Sequence, residues 1–183
     1  RFFYELIRLE DARACFDTVR QQDTDLTRFH SYKKSTVEEY YLATLSGLND
    51  YTALQQYLEL HMDENIPLHH HIVGFLLTNN YNFDQAIEEL LVYRKAQTTV
   101  RTNRDLMFKA NNIFFLAFSY RKTKQYDLAL KELPRMEKLT QTPKHIGTLS
   151  NFVVARSYYE AAIAALQLGN IDKAQEYVNH AIV

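Results

Sequence analysis

The apolar residues of this chain recur at spacings of three and four, the period of one face of an α-helix. In the clearest stretch, 113–136, an apolar run that ends at Tyr120 is followed by the polar break 122–125 and a second apolar run. The stretch 158–181 repeats the same offsets around the break 168–170. Each stretch therefore predicts two antiparallel helices joined by a tight turn.

Two earlier segments show the same pattern less clearly. Ser35 and Glu38 form a capping box that predicts a helix to about Ser46. Asp50 then supplies the N-cap of a return helix over 51–63.

Further helix boundaries follow from proline and asparagine. Pro67 fits the first turn of a helix that ends at 79–80. Residues 82–85 form a second candidate capping box, which starts a return helix through Tyr93. Pro134 falls inside a later return helix and predicts a kink or an end there.

A repeat emerges when the key small or apolar residue of each return helix is aligned. The aligned residues are Leu54, Ala86, Ala129 and Ala174, at intervals of 32, 43 and 45 residues. A tetratricopeptide unit averages ~34 residues, so we expect the last two first helices, over 104–121 and 143–168, to be about three turns longer. Thr142 and Pro143 fit the start of the second of these helices.

These features resemble tetratricopeptide repeats, in which small residues lie where two helix backbones approach closely. The resemblance implies an all-α fold, a right-handed superhelical stack of helix-turn-helix hairpins. We expect one such domain over 1–183, in five approximate units: 1–34 (partial), 35–65, 66–98, 101–140 and 143–183.

The composition argues against several classes of function. The formal net charge is −1, which leaves no global basic field for nucleic acid. A single cysteine, Cys15, excludes an internal disulfide and fits the cytoplasm. No segment approaches the ~18–20 uninterrupted apolar residues of a membrane span. Both ends of the chain look cut, so we expect a fragment of a longer protein.

Motifs for enzymes and cofactors are missing from the sequence. It contains no Gly-rich phosphate loop, no Cys-x-x-Cys pair and no nucleophile elbow. His69, His70 and His71 are consecutive, and consecutive residues of a helix do not share a face. We therefore expect neither catalysis nor a metal or cofactor.

The first helices of such a stack line its concave surface, and their polar and aromatic residues are the candidate ligand contacts. Asparagine can pair with a peptide backbone, arginine can hold a carboxylate, and aromatic rings supply apolar pockets. Each residue also has an ordinary structural role open to it, as a cap, a solvated charge or a core ring. The candidates are Arg104, Phe108, Asn111, Phe118, Arg121, Asn151, Arg156, Tyr159, His71 and Asn79.

The sequences at 80–86, 111–129 and 168–174 are similar to the C-terminal repeat domain of peptide-sensing regulators from Gram-positive bacteria, of the PlcR, PrgX and Rgg types. The resemblance covers roughly 35–183. It implies a signalling peptide in the concave groove, with Asn111, Asn151 and Arg156 among its contacts. It also implies a homodimer formed through the repeats, and DNA binding only through a helix-turn-helix domain that is not present in this chain.

The leading hypothesis is therefore a peptide- or protein-binding domain that senses a ligand and dimerises within a bacterial transcriptional regulator. One alternative is a scaffold or adaptor subunit that binds a folded protein partner along the same surface. Another is a regulator that inhibits a signalling enzyme without touching DNA.

Overall fold

The computed structural model describes residues 10–15, 18, 45, 48, 50–61, 67–97, 99–100, 103–141 and 151–182. These residues form eight α-helices and no β-strand, which confirms the all-α class for the described part of the chain. The chain divides into two compact units, Arg1–Met62 and Asp63–Val183.

Helix α1, Tyr51–His61, is the main described element of the first unit. Asp50 caps it as predicted, because a carboxylate oxygen of Asp50 accepts a hydrogen bond from the backbone N–H of Ala53 at 3.1 Å. The other oxygen forms an ion pair with Arg13, which ties an earlier helical segment to the start of α1. Leu54, the predicted anchor of this helix, is fully buried.

The described residues of the second unit form three consecutive helical hairpins. Helix α2 packs on α3, α4 packs on α5 and α6, and α7 packs on α8. The helices are α2 (Pro67–Asn79), α3 (Phe83–Ala96), α4 (Asn103–Lys122), α5 (Tyr126–Leu130), α6 (Leu133–Thr140), α7 (Asn151–Gln167) and α8 (Ile171–Ala181).

The three hairpins share one turn geometry. Each turn contains one residue with a left-handed backbone: Tyr81 (φ 61°), Lys124 (φ 63°) and Gly169 (φ 76°). The N–H of the next residue donates to the carbonyl five positions earlier, at 2.9, 2.8 and 2.9 Å respectively. This is the Schellman ending of a helix. Tyrosine and lysine rarely adopt this conformation, so the hairpin geometry, and not the residue type, sets it at the first two turns.

A buried alanine follows each turn, and a small residue of the first helix lies twelve positions before it. The three pairs are Gly74 with Ala86, Ala117 with Ala129, and Ala162 with Ala174, and all six residues are buried. A Cβ atom added to Gly74 would lie 3.4 Å from the Ala86 carbonyl oxygen. The two backbones of the first hairpin therefore approach closely at this pair, as the spacing of small residues predicts.

Successive hairpins pack through their first helices. Helix α4 contacts both helices of the preceding hairpin, and α7 contacts α4, α5 and α6. One core cluster includes Leu90 of α3, Leu116 of α4, Ala129 of α5 and Ala164 of α7. This cluster spans all three hairpins, and α4 contacts both α2 and α7, so the three first helices lie side by side in the order α2, α4, α7.

The break predicted at Pro134 is present. The second return helix ends at Leu130 and restarts at Leu133, with Pro134 in the first turn of α6. Proline has no N–H to donate to the carbonyl four residues earlier. The break directs Glu132 inward, where its carboxylate accepts hydrogen bonds from both Nη atoms of Arg94 at 2.9 and 2.6 Å.

Several helix boundaries predicted from the sequence can be compared with those of the structure. Helix α4 is 20 residues long, which confirms a lengthened first helix over 104–121. The capping box at 82–85 is wrong in detail: the Asn82 side chain makes no cap bond and donates instead to Gln85 Oε1 at 2.6 Å. The capping box at 35–38, most of the partial unit 1–34 and the helix start at 142–143 lie outside the described residues.

Candidate functional site

A row of five aromatic rings runs along the side-by-side helices. Phe75 of α2 packs edge-on against Phe115 of α4, with 5.2 Å between ring centroids. Phe114 lies 5.2 Å from Phe115 and 6.1 Å from Phe118. Phe118 then contacts Phe83 at the start of α3, at 5.8 Å. We call these five rings the aromatic strip.

Arg156 of α7 lies over the aromatic strip. Its guanidinium carbon is 4.2 Å from the ring centroid of Phe114 and 5.2 Å from that of Phe152, distances at which a cation is attracted to a ring face. Burial lowers the pKa of Arg156, and the negative charge of Glu160 partly offsets this effect. The guanidinium still remains charged at neutral pH. No described carboxylate forms an ion pair with Arg156.

Two exposed rings flank this arginine. Phe152 and Tyr159 are four residues before and three residues after Arg156, so all three share one face of α7. Phe152 is 65% exposed and Tyr159 is 54% exposed. A charged group between two exposed rings can hold a carboxylate while apolar side chains contact the rings.

Arg121, a second predicted arginine, is engaged in the fold. Its Nε forms a short ion pair with Glu160 of α7, and both side chains are largely buried. Its guanidinium also lies 5.3 Å from the Phe118 ring. Arg121 therefore holds the second hairpin to the third, and much of its hydrogen-bonding capacity is already used.

His71, which was predicted as a ligand contact, is a core residue. It is 4% exposed, and its ring lies 4.8 Å from Tyr93 and 5.2 Å from Phe108. The Nδ1 atom has no hydrogen-bond partner. Burial lowers the pKa of His71 to about 4, so the imidazole is neutral at neutral pH.

The other predicted ligand contacts lie outside the arrangement around Arg156, or their side chains lie outside the described part of the structure. Asn79 donates its side-chain amide to the Phe75 carbonyl at 2.8 Å, which anchors it to its own helix. Phe108 and Asn111 of α4 are half-buried. The side chains of two candidates lie outside the described part of the structure: Arg104 and Asn151.

Sequence reasoning missed two residues of this region. Phe114 is 3% exposed and forms the platform beneath Arg156. Glu160 is buried and pairs with Arg121. Glu160 lies one helical turn after Arg156, a spacing that predicts a pair with Arg156 and gives no signal for its actual partner, Arg121. Arg156 stacks on Phe114, which is 42 positions earlier, and no local sequence pattern predicts a contact over that distance.

The three consecutive histidines diverge, as their spacing predicts. His70 Nδ1 pairs with Glu89 Oε2 at 2.6 Å, whereas His71 faces the aromatic core. Across the described ranges, no three His, Cys, Asp or Glu side chains come together as a metal site requires. None of the described helices has both the length and the apolar character needed to cross a bilayer.

Comparison of the sequence with models of protein families and with curated proteins found no match.

Proposed function

We propose that the second unit is a tetratricopeptide-like, right-handed superhelical stack that binds a short peptide or an extended protein segment on its first helices. The repeated turn, the paired small residues and the side-by-side packing of α2, α4 and α7 support this architecture. A stack of this kind has an extended surface on which its first helices meet a ligand.

The observation that carries the binding role is the exposed cation of Arg156 between Phe152 and Tyr159. Aromatic and arginine side chains are the residues that most often anchor a partner. Arg156 supplies positive charge for a carboxylate, and the two rings supply apolar contact. The ligand is therefore a peptide that presents a side-chain or terminal carboxylate next to an apolar residue.

In the cell, this role is that of a ligand-sensing and dimerisation domain of a bacterial helix-turn-helix regulator. This part of the proposal rests on the resemblance of residues 35–183 to peptide-sensing regulators. A peptide that prefers one curvature of the stack would shift the population of the dimer between two arrangements. DNA would be contacted only by a domain outside this chain.

Native mass spectrometry of the full-length protein, purified from its own host, tests the proposal. We expect a bound species of ~0.5–1.5 kDa, the size of a short peptide in a groove, on a dimeric protein. The variant Arg156→Gln should lose the bound species because it removes the cation and leaves an uncharged polar side chain.

The matched control is Lys173→Gln, which removes one positive charge from the exposed surface of α8. This variant should keep the bound species. A protein without any bound peptide, or equal occupancy in Arg156→Gln, would contradict the proposal.

The scaffold alternative is supported by a different surface. Leu166, Leu168 and Ile171 surround the turn of the third hairpin and are 55%, 44% and 69% exposed. Exposed apolar patches often mark contacts with other proteins. A stoichiometric folded partner that dissociates from Ile171→Asp and remains on Arg156→Gln would favour this function over peptide sensing.

A further inference from the structure

A cavity of about 460 Å³ lies between α3, α4 and α6, away from the aromatic strip. Its volume falls within the range of about 300–1,000 Å³ that small-molecule sites occupy. Tyr93, Val100, Ile113 and Leu139 form an apolar wall. We call this cavity the basic crevice, for the charges around it.

Four cationic residues line the basic crevice: Arg94, Lys109, Arg135 and Lys138. The described residues that line it include no aspartate or glutamate. Glu132, which is 3% exposed, lies behind the wall and pairs with Arg94. The lining therefore offers an anionic ligand positive charge without a competing carboxylate among the described lining residues.

Arg94 is a fixed part of this wall. Both of its Nη atoms donate to Glu132, and its Nε donates to Asn112 Oδ1 at 3.3 Å. Asn112 in turn donates to the Leu90 carbonyl at 2.9 Å. These bonds hold the guanidinium in place before any ligand arrives.

Lys109 and Arg135 have hydrogen-bonding capacity to spare. Lys109 is half-buried, and no described carboxylate forms an ion pair with it. The Arg135 side chain is 57% exposed, and its Nε lies 3.8 Å from Glu132 Oε1, too far for a hydrogen bond. These two groups flank the cavity from α4 and α6.

We infer that the basic crevice binds a small organic phosphate, a phosphate monoester carried on an apolar or aromatic body. The phosphate dianion matches the two cations Lys109 and Arg135 that flank the cavity, and arginine binds phosphate in a bidentate manner. The apolar wall takes the rest of the ligand. This inference is independent of the proposed peptide site, because none of these residues belongs to the aromatic strip.

Isothermal titration calorimetry of the chain with phenyl phosphate tests the inference. Phenyl phosphate combines a dianion with a small ring and fits within the cavity volume. We expect saturable binding that weakens with added salt, because part of the attraction is between partly exposed charges. Lys109→Gln and Arg135→Gln should each weaken binding about tenfold, the cost of one charge-assisted hydrogen bond.

Three comparisons make the test specific. Lys95→Gln removes an exposed positive charge of α3 that does not line the crevice, and it should bind phenyl phosphate like the unmodified chain. Inorganic phosphate should bind more weakly because it lacks the apolar body, and benzoate should bind more weakly because it carries a single charge.

Several results would overturn the inference. These are the absence of saturable binding, unchanged affinity in both Lys109→Gln and Arg135→Gln, and a benzoate or inorganic phosphate affinity equal to that of phenyl phosphate. Arg156→Gln should leave phenyl phosphate binding unchanged, so failure of the peptide proposal and failure of this inference can be told apart.

Discussion

In the second unit, the free-energy cost of burying an ionisable residue is reduced in two ways. Removing a charge from water is unfavourable unless the charge is paired and hydrogen-bonded. Glu132 and Glu160 are almost fully buried, and each has an arginine partner. His71 is equally buried among aromatic rings, and its lowered pKa keeps it neutral. The glutamates therefore join elements together, whereas His71 makes the fold sensitive to acid.

The stability of the chain should fall in acid through His71. Its pKa is about 4 in the folded chain and 6.5 in the unfolded chain, so the unfolded state binds this proton first as the pH falls. The contribution is fully present above pH 6.5 and is lost between pH 6.5 and pH 4. The pKa difference corresponds to about 3 kcal/mol of unfolding free energy. Urea unfolding across this pH range measures it.

Variants isolate this effect from the titration of other groups. His71→Phe fills the same aromatic site without a titratable group and should lose about 3 kcal/mol of the pH dependence. His180→Gln removes an exposed histidine of α8 and should retain the full dependence. An identical pH dependence in His71→Phe and the unmodified chain would refute the assignment.

At the scale of single elements, the first hairpin depends on one close helix contact. A Cβ atom added to Gly74 of α2 would lie 2.6 Å from Leu90 Cγ and 2.7 Å from Leu90 Cδ2. Leu90 is fully buried in the core cluster that spans the three hairpins, so its side chain has little room to turn away. Glycine thus allows α2 and α3 to approach each other.

Gly74→Ala should destabilise the chain even though alanine favours helix. Overpacking a core costs about 1–3 kcal/mol, and the gain in helix propensity returns about 1 kcal/mol. Because Leu90 has little room to move, we expect a cost near the upper end of this range and a net loss of about 2 kcal/mol in urea unfolding. Gly169→Asn is the comparison, because a Cβ there meets nothing within 4 Å and only the strain of the left-handed backbone, which asparagine tolerates better than most residues, opposes it. A Gly74→Ala variant as stable as the unmodified chain would contradict the close contact.

The elements were predictable where the sequence carries local signals. Asp50 and Pro67 marked helix starts, and Pro134 marked a break, because capping and the missing N–H act on adjacent residues. The left-handed turn at Tyr81 gave no such signal, since tyrosine does not favour that conformation. The need for glycine at position 74 became evident only from the position of Leu90 on the next helix.

At the scale of the molecule, buried ion pairs join neighbouring hairpins in the described part of the second unit. Arg94 of α3 pairs with Glu132 of the second hairpin. Arg121 of α4 pairs with Glu160 of the third. Tyr158 of α7 also donates to Glu137 of α6 at 3.0 Å, and burial together with this bond raises the pKa of Tyr158 to about 12. The described hairpins are thus connected by polar contacts as well as by the shared core.

The candidate site was only partly predictable, because many of its contacts join residues that are far apart in the sequence. Arg156 and Tyr159 were identified as surface residues of a first helix from spacing alone. The use of Arg121 as an inter-hairpin ion pair was not predictable, because its partner is 39 positions away. Nor could the basic crevice be predicted, since three separate helices bring its cations together. Contacts of this range depend on how the hairpins pack.

Glu160→Gln should loosen the third hairpin selectively. The substitution leaves the Arg121 guanidinium, 16% exposed, without a counter-charge between α4 and α7, which costs about 3 kcal/mol for a buried pair. Because the described hairpins contact mainly their neighbours, the loss should stay local. Hydrogen exchange should therefore show reduced amide protection in α7 and α8, with α2 and α3 unchanged.

Glu176→Gln, which changes an exposed residue of α8, is the control and should alter the amide protection of neither hairpin. Equal loss of protection in all three hairpins would mean that they unfold as one cooperative unit.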